Sequence, residues 1–259
     1  MAQVDVLLVR SQFAQTSRRD HWWIQPVAVF LGLSTFIAYS TWAAMQGQHY
    51  RFGPYLSPFY SPELFGDPLQ SWFGVKPAWM PVWVTAAMLI LWAPGGFRLT
   101  CYYYRGAYYK AFWADPPSCA VGEPRKKYLG ERSFPLILQN VHRYFLYLAL
   151  VFLVLLAHDV WNAFWFDGHL GIGVGTLVLL TNVVLLSCYA FGCHSLRHLI
   201  GGFRDQFLGA PVQKRAYDCI SCLNHRHMTF AWLSLFSVGF ADLYVRMCSM
   251  GIWRDWRIL

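Results

Sequence analysis

Residues 136–159 read LILQNVHRYFLYLALVFLVLLAHD, and this stretch decides the fold. Between Phe145 and Ala157 it has no charged side chain, while His142 and His158 mark its two ends. A helix needs about 20 predominantly apolar residues to cross the hydrocarbon core of a bilayer. The stretch therefore predicts a membrane-spanning helix with a histidine near each end.

Four further apolar stretches follow the same pattern. The predicted spans are residues 23–45, 79–97, 136–157, 170–193 and 229–249. Of all residues, 56% are hydrophobic and only 13% are charged, as in integral membrane proteins. The sequence predicts an all-α integral membrane protein, a single membrane-anchor domain of residues 1–259 with five transmembrane helices in a bundle.

Basic residues set the predicted orientation. Sixteen of the 21 Lys and Arg residues lie in the N-terminal tail or in and beside the connections 98–135 and 194–228. Because basic loops stay in the cytoplasm, we expect a cytoplasmic N-terminus, an external C-terminus and an external cap loop at 46–78. The net charge of +8 then indicates affinity for anionic phospholipids, with no nucleic-acid partner.

Cysteines and histidines collect at the predicted cytoplasmic end. That compartment is reducing, so its cysteines are expected to bind metal or to react rather than to form disulfides. His194 and His198 lie four residues apart on one helical face, a spacing found among metal ligands. The run CISCLNHRH offers an alternative metal-like cluster of Cys219, Cys222 and His225. The cysteines at this end are Cys101, Cys119, Cys193, Cys219 and Cys222.

Three longer segments carry a family resemblance. They are FRLTCYYYRGAYYKAFWADPPSCAVGEPRKKYLGERSFPLILQNVHRYFLYLALVFLVLLAHD, FGCHSLRHLIGG and LNHRHMTFAWLSL. Together they resemble the membrane-anchor subunit of actinobacterial succinate dehydrogenases, with similarity from about residue 20 to the C-terminus. The resemblance implies a bacterial plasma-membrane protein that seats a flavoprotein subunit and an iron–sulfur subunit. It also implies electron transfer from succinate to menaquinone. Whether the whole complex forms an oligomer is left open.

The histidine positions do not suit two haems. Five-span anchors of the di-haem type hold their haems through four histidines on four helices, and the predicted second span contains no histidine. A single haem b between two of His142, His198 and His227 stays an alternative. We therefore expect no di-haem centre.

A mixed set of cysteines and histidines favours another centre. Two Cys and two His are the ligands of a Rieske-type [2Fe–2S] cluster, whose reduction potential is raised by its histidine-bound iron. The predicted ligands are Cys101, Cys119, His194 and His198, with His142 and His227 as substitutes. The alternative is that the cysteines bind nothing and that quinone alone links the subunits.

Two places suit quinone chemistry, which needs hydrogen-bond donors and a route for protons. The predicted quinone-binding residues at the inner interface are His21, Trp22, Arg105, Trp113, Arg143 and Tyr144. At the outer end, His158 and Asp159 place a base beside an acid. They predict either a second quinone and proton site or a structural cap.

Asp242 and Arg246 lie four residues apart in the predicted fifth span. Ionisable side chains are costly in a bilayer unless they are paired. This spacing predicts an internal ion pair that holds the outer ends of helices together.

Two other functional classes compete with the anchor. A stand-alone membrane b-type cytochrome or quinone oxidoreductase would need a site for a soluble donor, and no dinucleotide or phosphate-binding motif is present. A transporter would place polar groups and broken helices at the midplane, where this chain is almost wholly apolar. Both features favour an anchor for soluble subunits.

Overall fold

A computed structural model describes residues 12–68, 70–125, 133–134, 136–202 and 204–259. The chain is mostly helical within them, and short antiparallel pairs β1–β2 and β3–β4 form two hairpins. The α-helices are α1 (Ile24–Gln46), α2 (Ala86–Ile90), α3 (Trp92–Leu99), α4 (Tyr102–Tyr108), α5 (His142–Asn162), α6 (Val174–Phe191), α7 (His194–Gly201), α8 (Pro211–His225) and α9 (His227–Ser249). The strands are β1 (Arg51–Phe52), β2 (Tyr55–Leu56), β3 (Trp165–Phe166) and β4 (His169–Leu170). A π-helical turn covers Tyr109–Trp113, and 3-10 turns cover Pro58–Tyr60 and Leu136–Val141.

Within the described residues, four helical stretches are long and apolar enough to cross a membrane. They are Ile24–Gln46, Leu136–Asn162, Val174–Phe191 and His227–Ser249. Large apolar side chains on their outer faces, such as Leu31, Val151 and Phe236, are exposed. An exposed apolar surface of this kind suits contact with lipid. These stretches coincide with four of the five predicted spans.

The predicted span at 79–97 has a different local structure. Its helical part consists of α2 and α3, which are separated at Leu91, and residues 81–85 before it are not helical. Pro94 has no backbone N–H and could not bond to the carbonyl oxygen of Ile90, which explains the interruption. Because neither helix is long enough to cross a bilayer alone, the fifth span stays a prediction.

The chain divides into two compact units. Unit 1 contains residues up to 35 and residues 102–139, and unit 2 contains residues 36–101 and 140–259. In unit 2, α6 packs on α9 and on α5, and α3 packs on α5. Gly96 lets α3 approach closely, because a Cβ there would overlap the ring of Phe145.

The segment 46–78 is an ordered part of unit 2. Tyr55 and Tyr60 are almost fully buried, and the Tyr60 hydroxyl donates to the carbonyl oxygen of Ala43 at 2.9 Å. Tyr55 donates to Asp255 at 2.8 Å. This aromatic cap therefore joins one end of α1 to the C-terminal segment.

Unit 1 is built on the N-terminal tail and the connection after α3. The amide of Ala14 donates to the carbonyl oxygen of Gly122 at 2.9 Å, and the rings of Phe30 and Phe112 pack 4.8 Å apart. Arg18 bridges Asp20 and the Ser118 hydroxyl, at 2.7 and 2.9 Å.

Candidate functional site

Four sulfur and imidazole side chains meet at one end of the unit 2 helices. Cys101 follows α3, His142 begins α5, Cys193 is the N-cap of α7, and His227 begins α9. His142 Nε2 lies 3.0 Å from Cys193 Sγ, and Cys101 Sγ lies 3.5 Å from His227 Nε2. Cys101, His142 and Cys193 are each no more than 3% exposed. We call this group the four-residue site.

Aromatic rings form one wall of the four-residue site. Phe97 stacks on His142 with ring centroids 4.8 Å apart and planes 7° apart. Tyr189 stacks on His227 at 4.9 Å and 19°, and it meets Phe97 edge-on at 5.4 Å. Phe97 and Tyr189 therefore each cover one face of an imidazole ring.

The Nδ1 atoms of the two histidines differ in their hydrogen-bond partners. His142 Nδ1 lies 2.8 Å from Thr100 Oγ1, and Thr100 also donates to the carbonyl oxygen of Gly96 at 2.7 Å. His227 Nδ1 is buried and has no hydrogen-bond partner in the described part of the chain. An unsatisfied buried donor or acceptor costs about 1–3 kcal/mol.

A cavity of about 170 Å³ adjoins the four-residue site. Phe97 and Tyr189 belong to its lining, so the same two rings face the cavity and the histidines. Arg98 gives the cavity a cationic end, with its guanidinium 4.7 Å from the centre of the Tyr189 ring. Arg98 is held by donation to Ala231 O at 3.2 Å and to Ser234 Oγ at 3.0 Å. The rest of the lining is mainly apolar, which suits a hydrophobic ligand with a polar head.

The structure brings only some of the predicted ligands together. Cys101 and both substitutes, His142 and His227, lie in the four-residue site. His194 and His198 are exposed on α7, with ring centroids 6.5 Å apart. The remaining predicted cysteine, Cys119, is exposed in unit 1.

Cys193 is the residue that the predicted ligand set omitted. The sequence places it among the cysteines at the predicted cytoplasmic end, but helical spacing favours His194 and His198 as the metal ligands. Its position next to a glycine at the end of α6 was the available signal, since Gly192–Cys193 breaks the helix.

Arg18 donates to the carbonyl oxygen of Cys119 at 2.8 Å, so Cys119 has a structural contact of its own.

The predicted quinone-binding residues occupy several environments. Trp22 and Arg105 are partly buried, while His21, Trp113, Arg143 and Tyr144 are exposed. Arg143 and Tyr144 directly follow His142 in the first turn of α5.

Arg105 lines a second cavity of about 320 Å³, which lies within unit 1. Several charged side chains line this cavity, and Arg125 forms an ion pair with Asp115 at 3.2 Å. A hydrogen bond with Asp115 raises the pKa of Glu123. The cavity therefore has both cationic and protonatable walls.

At the other end of α5, His158 and Asp159 have separate contacts. Asp159 accepts a hydrogen bond from the Ser61 hydroxyl in the aromatic cap. His158 is exposed, and its Nδ1 lies 3.3 Å from Asn162 Nδ2. The contact of Asp159 supports the structural alternative, whereas a proton role for this pair stays a prediction.

No set of three or more His, Cys, Asp or Glu residues in the described ranges is arranged around a single metal ion. The four-residue site instead consists of two close sulfur–nitrogen pairs. A two-iron centre needs only two protein ligands for each iron, so its ligands are distributed over two metals. The four residues together match the composition of a two-Cys, two-His donor set, and each observed pair joins one cysteine to one histidine.

Comparisons with known proteins agree on one family. The family model for actinobacterial succinate dehydrogenase subunit SdhC matches residues 24–251. Among solved structures, a chain of the Mycobacterium smegmatis Sdh1 complex in the apo form is 40% identical, with a TM-score of 0.88. The match covers 97% of each chain. No curated protein matches.

Proposed function

Because this chain belongs to the family of actinobacterial succinate dehydrogenase subunit SdhC, we propose that it passes electrons from succinate to menaquinone. It is a membrane-anchor subunit of succinate:quinone oxidoreductase and a multi-pass protein of the bacterial plasma membrane. We also propose that a flavoprotein subunit and an iron–sulfur subunit dock on the cytoplasmic side of this chain. The alternative of a stand-alone cytochrome is not favoured.

We propose that Cys101, Cys193, His142 and His227 hold a Rieske-type [2Fe–2S] cluster. The proposal rests on the convergence of these four side chains, three of them buried, from four separate helix ends. Two thiols and two imidazoles are the donor set of that cluster, which would supply one-electron transfer when bound.

A single haem b is the competing cofactor. A bis-histidine haem would need the coordinating nitrogens of two imidazoles to face each other across the iron, but His142 Nε2 and His227 Nε2 each face a cysteine sulfur. Iron, sulfide and haem analysis of the purified complex tests the assignment. Two irons and two sulfides beyond those of the partner subunits support it, and haem iron alone contradicts it.

We further propose that menaquinone binds in the cavity beside the four-residue site. Arg98 and Tyr189 would orient a ring carbonyl by hydrogen bonding, and the apolar lining would hold the hydrophobic remainder. Phe97 and Tyr189 would separate the quinone from the histidines by a single layer of aromatic rings. The six residues that the sequence predicts at the inner interface remain a separate prediction, for a quinone site at the membrane surface.

Blocking this cavity should weaken quinone use. Gly95 lies in its lining, and a Cβ there would meet no atom within 4 Å, so Gly95→Leu adds bulk without displacing the backbone. Because one or two misplaced methylene groups in a pocket cost about 1–3 kcal/mol, we expect the KM for a menaquinone analogue to rise about 10-fold or more. Steady-state kinetics measure this change.

The matched control is Val151→Leu, which adds bulk on the exposed face of α5. Its KM should equal that of the unmodified complex. An unchanged KM in Gly95→Leu, with quinone reduction intact, would place the quinone elsewhere.

The charge distribution supports a cytoplasmic N-terminus, and we propose this orientation together with five spans. Val75 is 70% exposed in the loop 46–78, and Val212 is 80% exposed in the connection 194–228. A membrane-impermeant thiol reagent added outside intact cells should label Val75→Cys and not Val212→Cys. The reverse pattern would invert the orientation.

A further inference from the structure

Thr100 occupies a buried position at the end of α3, directly before Cys101. It is 2% exposed, and its hydroxyl oxygen touches two polar atoms. These atoms are the carbonyl oxygen of Gly96 at 2.7 Å and His142 Nδ1 at 2.8 Å. The hydroxyl has one hydrogen and two acceptor lone pairs.

The hydrogen of Thr100 must lie on the Gly96 side. A carbonyl oxygen has no proton, so only the threonine hydrogen can bridge the two oxygens at 2.7 Å. The contact with His142 therefore needs the imidazole to donate its Nδ1–H to Thr100. This assigns the proton of the neutral imidazole to Nδ1.

The same assignment determines the other side of the ring. With its proton on Nδ1, neutral His142 presents the lone pair of Nε2 toward Cys193 Sγ, 3.0 Å away. Phe97 stacks on the ring and holds its plane. Nε2 is therefore ready to bind a metal before any metal arrives.

We propose that Thr100 is a positioning residue that fixes the tautomer of His142 and raises its basicity as an iron ligand. This inference rests on the cluster assigned under the proposed function. Partners of this kind make the imidazole a stronger electron donor, and their loss typically reduces metal affinity or activity by about 10–100-fold. His227 has no such partner in the described residues, so the two imidazoles are inequivalent.

The test compares Thr100→Val with Thr100→Ser in the assembled complex. Valine keeps the shape and loses the acceptor, so the cluster should be about 10–100-fold more sensitive to an iron chelator. Its midpoint potential should shift in the positive direction, because weaker donation stabilises the oxidised iron less. Serine keeps the hydroxyl and should restore both properties.

Thr176→Val is the matched control. Thr176 is another fully buried threonine, and it donates to Ala163 O at 2.8 Å in the group around the Tyr55 ring. This variant should keep the wild-type potential and chelator resistance. A general effect of losing a buried hydroxyl would instead appear in both valine variants.

The outcomes separate the two proposals. A wild-type complex without a cluster signal overturns the proposed cofactor and this role of Thr100 together. A wild-type signal with identical potential and chelator resistance in Thr100→Val overturns only the role of Thr100. If Thr100→Val does not assemble, pulsed electron paramagnetic resonance of the wild type decides. Two inequivalent remote imidazole nitrogens support the proposal, and two equivalent ones contradict it.

Discussion

Replacing Cys193 with serine should abolish the rhombic iron–sulfur signal and lower quinone reduction by more than about 100-fold, since even residues that only support metal ligands contribute 10–100-fold. Thiolates bind iron–sulfur clusters, whereas a serine hydroxyl is a poor substitute. Serine is also a favoured N-cap, and the Cys193 side chain already accepts from the amide of Ser195. Helix α7 should therefore survive the change. Electron paramagnetic resonance of the reduced complex and quinone kinetics measure the effect.

Two further cysteine variants make this experiment decisive. Cys119→Ser should keep the signal if Cys193 is the ligand, and should lose it if the ligand set predicted from sequence is right. Cys248→Ser is the control, because Cys248 is buried at the opposite end of α9 from His227. Succinate oxidation with a soluble dye should persist in every assembled variant, since that chemistry belongs to partner subunits. A full signal in Cys193→Ser would contradict the four-residue site.

Replacing Arg246 with methionine should lower the free energy of unfolding by about 3–5 kcal/mol, the cost of leaving one member of a buried ion pair alone. Arg246 and Asp242 are both fully buried, with Arg246 Nε 3.3 Å from Asp242 Oδ2. Arg246 also donates to the carbonyl oxygen of Gln48 at 2.9 Å. Asp242 additionally accepts from Tyr39 at 2.6 Å and from Ser57. Thermal and denaturant unfolding of the detergent-solubilised complex measure the change.

Two comparisons identify the buried charge as the cause. The double variant Asp242→Asn with Arg246→Met should recover most of the loss, because no charge is then left without its partner. Lys214 and Asp218 have the same helical spacing and the same 3.3 Å separation, but both are exposed. Lys214→Met should therefore cost less than about 1 kcal/mol. Equal losses of unfolding free energy in Arg246→Met and Lys214→Met would show that burial is not the source of the effect.

The long spans were predictable because their apolar runs are long enough for a helix to cross a bilayer. Helices α1 and α9 begin and end within two residues of the predicted bounds. Helix α6 begins at Val174 rather than at residue 170, because the hairpin of β3 and β4 takes up the residues before it. Hydropathy could not show the interruption of the second apolar stretch, which depends on the backbone chemistry of Pro94.

The four-residue site was only partly predictable for a geometric reason. Helical spacing relates residues within one helix, and it therefore favoured His194 and His198. The observed residues come from four helix ends, and such convergence depends on tertiary packing rather than on spacing. His142, His227 and Cys101 could be named from their position at the predicted cytoplasmic end, whereas the local signal for Cys193 was only the helix break at Gly192–Cys193.

The convergence of four helix ends also imposes an order on biogenesis. Cys101, His142 and Cys193 are synthesised before His227, which begins the last helix of the chain. The complete donor set therefore cannot exist until ribosomes have translated α9 and the membrane machinery has inserted it. We infer that loading of the proposed cluster is a late maturation step, because a nascent chain released before α9 lacks one of the four proposed ligands.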